Sequence, residues 1–217
     1  MPRILCYGDS NTWGYATVPR PDGRYAAAER WPQVMGAVLG PHWTVVEEGL
    51  NGRTTVHADP VEGAWLDGSS TFIPILRSHM PIDVVAIMLG TNDLKARFSV
   101  GPFDIAGGVG VLLAQLARAG AGRGGGVPKA LVICPPPILA TYGAFDFFAE
   151  MFAGGPEKSL RLAKFYAETA REAGAAYFNA GTVIATSPYD GIHFDPDMQA
   201  KLGQAVAGAV TAMGVAQ

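Results

Sequence analysis

Five short runs of apolar, largely β-branched residues stand out along the chain: Arg3–Tyr7, Trp43–Val46, Val84–Leu89, Ala130–Cys134 and Ala176–Phe178. Their lengths suit strands buried on both faces, as in a parallel sheet. Between them lie stretches with helical signals. Trp31-Pro32 opens one helix running towards Leu39, with proline near the first turn. Ser69 or Ser70 is the expected cap of a second, which continues through Phe72, Ile75 and Leu76. A third covers Phe103 to Ala119, its first half weakened by Gly107, Gly108 and Gly110. Pro156-Glu157 opens a fourth, with Leu160, Ala163, Tyr166, Ala167 and Ala170 at helical spacing. The last runs from Pro196 to Met213. Strand and helix alternate, which predicts an α/β fold with a parallel sheet and helices on both faces. Gly120 to Gly126 reads as a mobile Gly-rich connector; it lacks the Gly-Lys-Ser/Thr ending of a phosphate-binding loop.

Composition narrows the picture. A chain of 217 residues is long enough for one domain with a large core, spanning 1–217, and short for two. With 49% apolar residues, 16% charged ones and a net charge of −3, it is a globular chain on the apolar side. Its Lys and Arg are scattered, which argues against nucleic acid as the main partner. No apolar run approaches the roughly 20 residues needed to span a bilayer, so no membrane partner is expected. The first residues, Met-Pro-Arg-Ile-Leu-Cys-Tyr, hold too few apolar positions for a signal-peptide core. Cys6 and Cys134 read as reduced, buried thiols with neither metal nor disulfide spacing. A cytoplasmic location is the resulting expectation.

Ligands of open α/β sheets bind beyond the carboxyl ends of the strands. After the first predicted strand comes Gly8-Asp9-Ser10-Asn11-Thr12-Trp13-Gly14, and after the second Glu48-Gly49-Leu50-Asn51-Gly52-Arg53-Thr54-Thr55. Gly90-Thr91-Asn92-Asp93 follows the third, and Asp190-Gly191-Ile192-His193 the fifth. Each piece alone reads more readily as a turn, a cap or a solvated loop than as a catalytic group. Together they bring a hydroxyl, a glycine-bearing loop, a carboxamide and a carboxylate–imidazole pair to one edge. Acyl transfer requires that set: an activated nucleophile, a base, an orienter and oxyanion donors. Asp9 reads as a residue that holds the loop. Asp195 near His193 and Asp190 hints at a metal, but no further His or Cys has ligand spacing, so neither metal nor other cofactor is expected.

These blocks resemble those of the SGNH (GDSL-like) hydrolases. Gly8-Asp9-Ser10 is similar to their first block, Gly52 to the glycine of the second, Gly90-x-Asn92-Asp93 to the third and Asp190-x-x-His193 to the fifth. The wider text resembles the bacterial arylesterase and acyltransferase branch, in Thr12-Trp13-Gly14, Arg53-Thr54-Thr55 and Ile87-Met88-Leu89-Gly90 among other stretches. The resemblance implies a flavodoxin-like three-layer sandwich with strand order 2-1-3-4-5. It implies Ser10 as nucleophile, His193 as base and Asp190 as its partner. It assigns the oxyanion hole to the N–H groups of Ser10 and Gly52 and to the side chain of Asn92. Homo-oligomers, octamers among them, are also implied. Asn11 departs from that branch, which can carry an apolar residue there, and bears on the acyl pocket. Trp13, Phe152 and Ile192 are candidates to line that pocket, with ordinary core packing as the alternative. The implied function is a serine esterase on small acyl and aryl esters, with possible acyl transfer to alcohols. A carbohydrate deacetylase or a thioesterase would use the same triad. The rival of another class is a non-catalytic flavodoxin-like binding module.

Overall fold

The computed structural model describes residues 1–143 and 145–215. In chain order its elements are β1 (Arg3–Gly8), α1 (Ser10–Trp13), α2 (Trp31–Leu39), β2 (Thr44–Gly49), α3 (Gly68–Ser78) and β3 (Val84–Met88). Then follow α4 (Pro102–Ala119), β4 (Lys129–Cys134), α5 (Phe147–Met151), α6 (Gly155–Ser159), α7 (Leu162–Glu172), β5 (Ala176–Asn179) and α8 (Pro196–Ala212). The strands form one parallel sheet in the order β2-β1-β3-β4-β5. The fold is thus the expected α/β sandwich.

Alternate strand residues feed two apolar layers, which is why the strands are apolar on both faces. Leu5, Tyr7, Val85, Ile87 and Val132 pack with α3, α4 and α7 through Phe72, Leu76, Leu112 and Tyr166. Ile4, Cys6, Val84, Ala86 and Leu131 pack on the other face with α2 and α8 through Trp31, Met35, Leu202 and Val206. Cys6 and Cys134 are both buried, one in each layer.

Where boundaries differ from the pattern, polar side chains explain it. The edge strand β2 continues past Val46 because Glu47 and Glu48 find partners: Glu47 pairs with Arg30 at 2.8 Å, and Glu48 with His79 at 2.7 Å. Asp67, not Ser69 or Ser70, caps α3; its carboxylate accepts the Ser69 N–H at 2.8 Å. The single helix expected from Pro156 is two, α6 and α7. Ser159 Oγ donates back to the Pro156 carbonyl at 2.6 Å and accepts the Ile138 N–H at 3.1 Å, a local turn that competes with helix continuation. The Gly120–Gly126 connector closes on itself, Gly122 N–H to Gly126 O at 2.8 Å, and Arg123 ties it to Asp83 at 2.6 Å.

Of the three glycines of α4, Gly108 has a packing reason. A Cβ on Gly108 would stand 2.2 Å from Thr55 Oγ1, so only glycine lets the helix approach the loop after β2 this closely. That loop belongs to the site.

Candidate active site

The strand order reverses at β1, which lies between β2 and β3, and the loops on either side of a reversal leave room for a ligand. Ser10 starts the short helix α1 directly beyond β1. Asp9 is its cap: its carboxylate accepts the Asn11 N–H at 2.9 Å, and the Trp13 N–H meets the Asp9 carbonyl. Burial pushes the Asp9 carboxyl up to about 6, against the Asn11 hydrogen bond and the nearby His193 and Arg53.

His193 Nε2 lies 2.9 Å from Ser10 Oγ, and its Nδ1 lies 2.6 Å from Asp190 Oδ2. The other carboxylate oxygen, Asp190 Oδ1, accepts the N–H groups of Ile192 and His193, each at 2.9 Å. Three-residue spacing lets one carboxylate fold its own loop and orient the imidazole at once. Burial pushes the Asp190 carboxyl up, but the His193 hydrogen bond and charge and the two backbone N–H groups outweigh it and hold it below its ordinary value. Asp190 therefore stays ionised at neutral pH, the state that supports an imidazolium. The loop is fastened from outside as well: Leu139 N–H binds the Gly191 carbonyl, and Ser187 N–H the His193 carbonyl.

The loop after β2 supplies the facing wall. Gly52 has φ +84°, a left-handed conformation that favours glycine. The Arg53 guanidinium donates to the carbonyls of Gly8 and Glu48, tying this loop to the ends of β1 and β2, and stacks on Tyr7. Asn92 Nδ2 donates to the Arg53 carbonyl at 3.2 Å, which uses one of its two hydrogens. Asp93 accepts the Thr55 N–H and hydroxyl and so joins the β3 loop to the β2 loop. Burial pushes the Asp93 carboxyl up, opposed by the Thr55 hydrogen bonds. Among the described residues, the backbone N–H groups of Ser10 and Gly52 have no acceptor within hydrogen-bond distance.

These residues open onto a cleft of about 260 Å³. Ser10, Gly52, Asn92 and His193 line it together, with Phe152 and Ile192. Two pocket candidates are elsewhere. Asn11 is buried; its Nδ2 donates to the Ile192 carbonyl at 3.3 Å, and its backbone carbonyl accepts from Gln199, so it braces the histidine loop. Trp13 turns towards Arg24, whose guanidinium lies 4.8 Å from its ring centroid. The helix α1 has only one face on the cleft, and Ser10 takes it. Asp195 accepts the Thr17 hydroxyl instead of joining Asp190.

Other residues of the cleft escaped the sequence reading. Tyr15 stacks on the imidazole of His193, ring centroids 4.0 Å apart. Its nearness to Ser10 was the available signal. Phe148 and Met151 come from the aromatic-rich stretch before α6, a density that could have marked them. Glu62 and Lys95 also line the cleft, and no motif pointed to either. A second cleft, of about 400 Å³, lies at the opposite end of the sheet, where β4 and β5 begin; its lining includes Lys129 and Met213 but no residue of these loops.

Known proteins resemble this chain over nearly its whole length. The family model described as GDSL-like lipase/acylhydrolase matches residues 6–201. Comparison with curated proteins gave no match. Among solved structures, the M. smegmatis aryl esterase is 41% identical with a TM-score of 0.90, over 98% of this chain and 99% of that one. Est24, a carbohydrate acetylesterase from Sinorhizobium meliloti, is 40% identical with a TM-score of 0.90, over 98% of this chain and 100% of that one. From these matches and the full-length agreement in fold, the chain belongs to the GDSL-like lipase/acylhydrolase (SGNH) family.

Proposed function

We propose that this chain, as one domain over residues 1–217, is a serine esterase for small acyl and aryl esters, with Ser10 as nucleophile. The observation that carries this reading is the hydrogen-bonded series Ser10–His193–Asp190 opening onto a cleft beside unpartnered backbone N–H groups. Ser10 Oγ attacks the ester carbonyl carbon while His193 Nε2 takes its proton, and Asp190 stabilises the imidazolium. The developing oxyanion is held by the Ser10 and Gly52 N–H groups and the free N–H of Asn92. As the intermediate collapses, His193 gives its proton to the departing alcohol oxygen. Water then repeats the sequence on the acyl-enzyme and releases the acid.

A purified enzyme should turn over p-nitrophenyl acetate, and a serine-directed phosphonate should stop it by modifying Ser10. Turnover with the label on another residue would remove Ser10 from its role, and absent turnover and labelling would favour the binding module. Asn92→Ala should lower kcat roughly 10²–10³-fold by removing one oxyanion donor. An unchanged kcat would end that assignment.

Three finer points belong to the same reading. Acyl transfer requires an alcohol to outcompete water, which the apolar wall of Phe148, Met151, Phe152 and Ile192 supports. Homo-oligomerisation, octamers included, is supported by exposed apolar residues close in sequence to cleft residues: Val61 and Trp65 around Glu62, and Phe147 beside Phe148. A cytoplasmic setting fits two buried, unpaired thiols. No helix among the described residues is long and apolar enough to cross a membrane.

A further inference from the structure

We propose that Lys95 and Glu62 form a hydroxyl-binding subsite in the cleft, which selects acetyl esters of diols and polyols over plain alkyl esters. The inference rests on the esterase reading above.

Lys95 is only 3% exposed, and a buried ammonium is costly unless its N–H groups are met. Its Nζ donates to Glu62 Oε1 at 2.8 Å and stands 3.6 Å from Asp59 Oδ2. Arg97 Nη1 meets Asp59 Oδ1 at 3.0 Å and Glu62 Oε1 at 3.4 Å. Two cations thus balance two carboxylates, so the cluster has no net charge with which to hold an ionic substrate. What it offers is hydrogen bonding. An ammonium has three N–H groups. Among the described residues, only Glu62 lies within hydrogen-bond distance of Lys95 Nζ. Glu62 Oε2 accepts from none of the described residues.

One neutral group satisfies both. A hydroxyl accepts from Lys95 through its oxygen and donates to Glu62 Oε2 through its hydrogen. The rest of the lining includes Phe148, Met151, Phe152 and Ile192, an apolar surface that takes the carbon frame. The subsite also adjoins the reacting carbonyl. A Cβ on Gly52 would stand 3.2 Å from Glu62 Oε2, and Gly52 is a proposed oxyanion donor. A hydroxyl on the carbon next to the one that bears the ester oxygen is therefore the group within reach, as in a diol, a glycerol or a sugar.

The test compares 2-hydroxyethyl acetate with n-propyl acetate, which carries a methyl where the former has its hydroxyl. The wild type should favour the hydroxylated ester about tenfold or more in kcat/KM, because a methyl leaves the polar pair desolvated and unmet. In Lys95→Met and in Glu62→Gln the preference should fall to about twofold or less. Lys95 also neutralises a carboxylate beside the oxyanion site, so its loss slows attack on both esters, and the ratio is the quantity to read. In Lys95→Met the Arg97 side chain still faces both carboxylates; should that variant fail to fold, Glu62→Gln alters a partly exposed side chain and reads the same effect. Equal kcat/KM in the wild type, or a preference kept by every folded variant, would overturn the subsite. A wild type that hydrolyses neither of these esters nor p-nitrophenyl acetate would overturn the esterase reading itself, and the subsite with it.

Discussion

Ser10→Ala lowers kcat on p-nitrophenyl acetate by on the order of 10⁶, about 8 kcal/mol of barrier. Two arguments set the size. The hydroxyl is the only group on α1 that the His193 imidazole meets, at 2.9 Å, so no neighbour inherits its role. Without the nucleophile, the oxyanion donors and the cleft can only assist attack by water, which is a small residue of the full catalysis. The fold should survive. Asp9 keeps its cap on Asn11, and the Trp13 and Gly14 N–H groups bind backbone carbonyls that the substitution leaves in place. Steady-state nitrophenol release beside a thermal melt checks both halves. A loss of less than about tenfold, with the melt unchanged, would mean that another residue attacks.

Asp190→Asn should cost roughly 10⁴ in kcat, with little change in thermal stability. Asp190 Oδ1 accepts two backbone N–H groups, and the carbonyl of an asparagine can accept both. The other half of the amide then presents N–H₂ to His193 Nδ1, where Asp190 Oδ2 now lies at 2.6 Å. Nδ1 must become the acceptor, the ring proton moves to Nε2, and Nε2 can no longer take the proton of Ser10. Asp190→Ala separates this effect from the structural one, because it also abandons the Ile192 and His193 N–H groups. That variant should lose stability as well as rate, of the order of 1–3 kcal/mol for buried donors left unmet. Measured kcat values and melting midpoints for the two variants distinguish orientation of the base from integrity of the loop. Wild-type kcat in Asp190→Asn would remove the carboxylate from catalysis.

Much of this was legible in the sequence. Runs of β-branched residues gave the strands because two-sided burial requires them, and each chemical motif followed a strand end. Asp190 and His193 are three residues apart, so their pairing is a local property of one loop. The cap of α3 was misread by two or three residues because Ser69 and Asp67 are both good caps, and the choice depends on which side chain reaches the free N–H groups. The break between α6 and α7 was hidden because Ser159 is held partly by Ile138, from a loop distant in sequence.

The cleft lining was the least legible part. Trp13 is next to the motif but faces Arg24, since successive residues of α1 point in different directions around the helix. Asn11 braces Ile192 from 181 positions away. Lys95 reaches the cleft from the turn after β3, and Glu62 from a turn between β2 and α3 that carries no motif.

The sequence by itself determined the strands, the placing of the motifs at their ends and the candidates for nucleophile, base and orienter, because periodicity and short-range spacing are properties of neighbouring residues. Only the tertiary structure decided which side chains face the substrate. That choice depends on the direction each side chain takes once loops far apart in the chain close around one point.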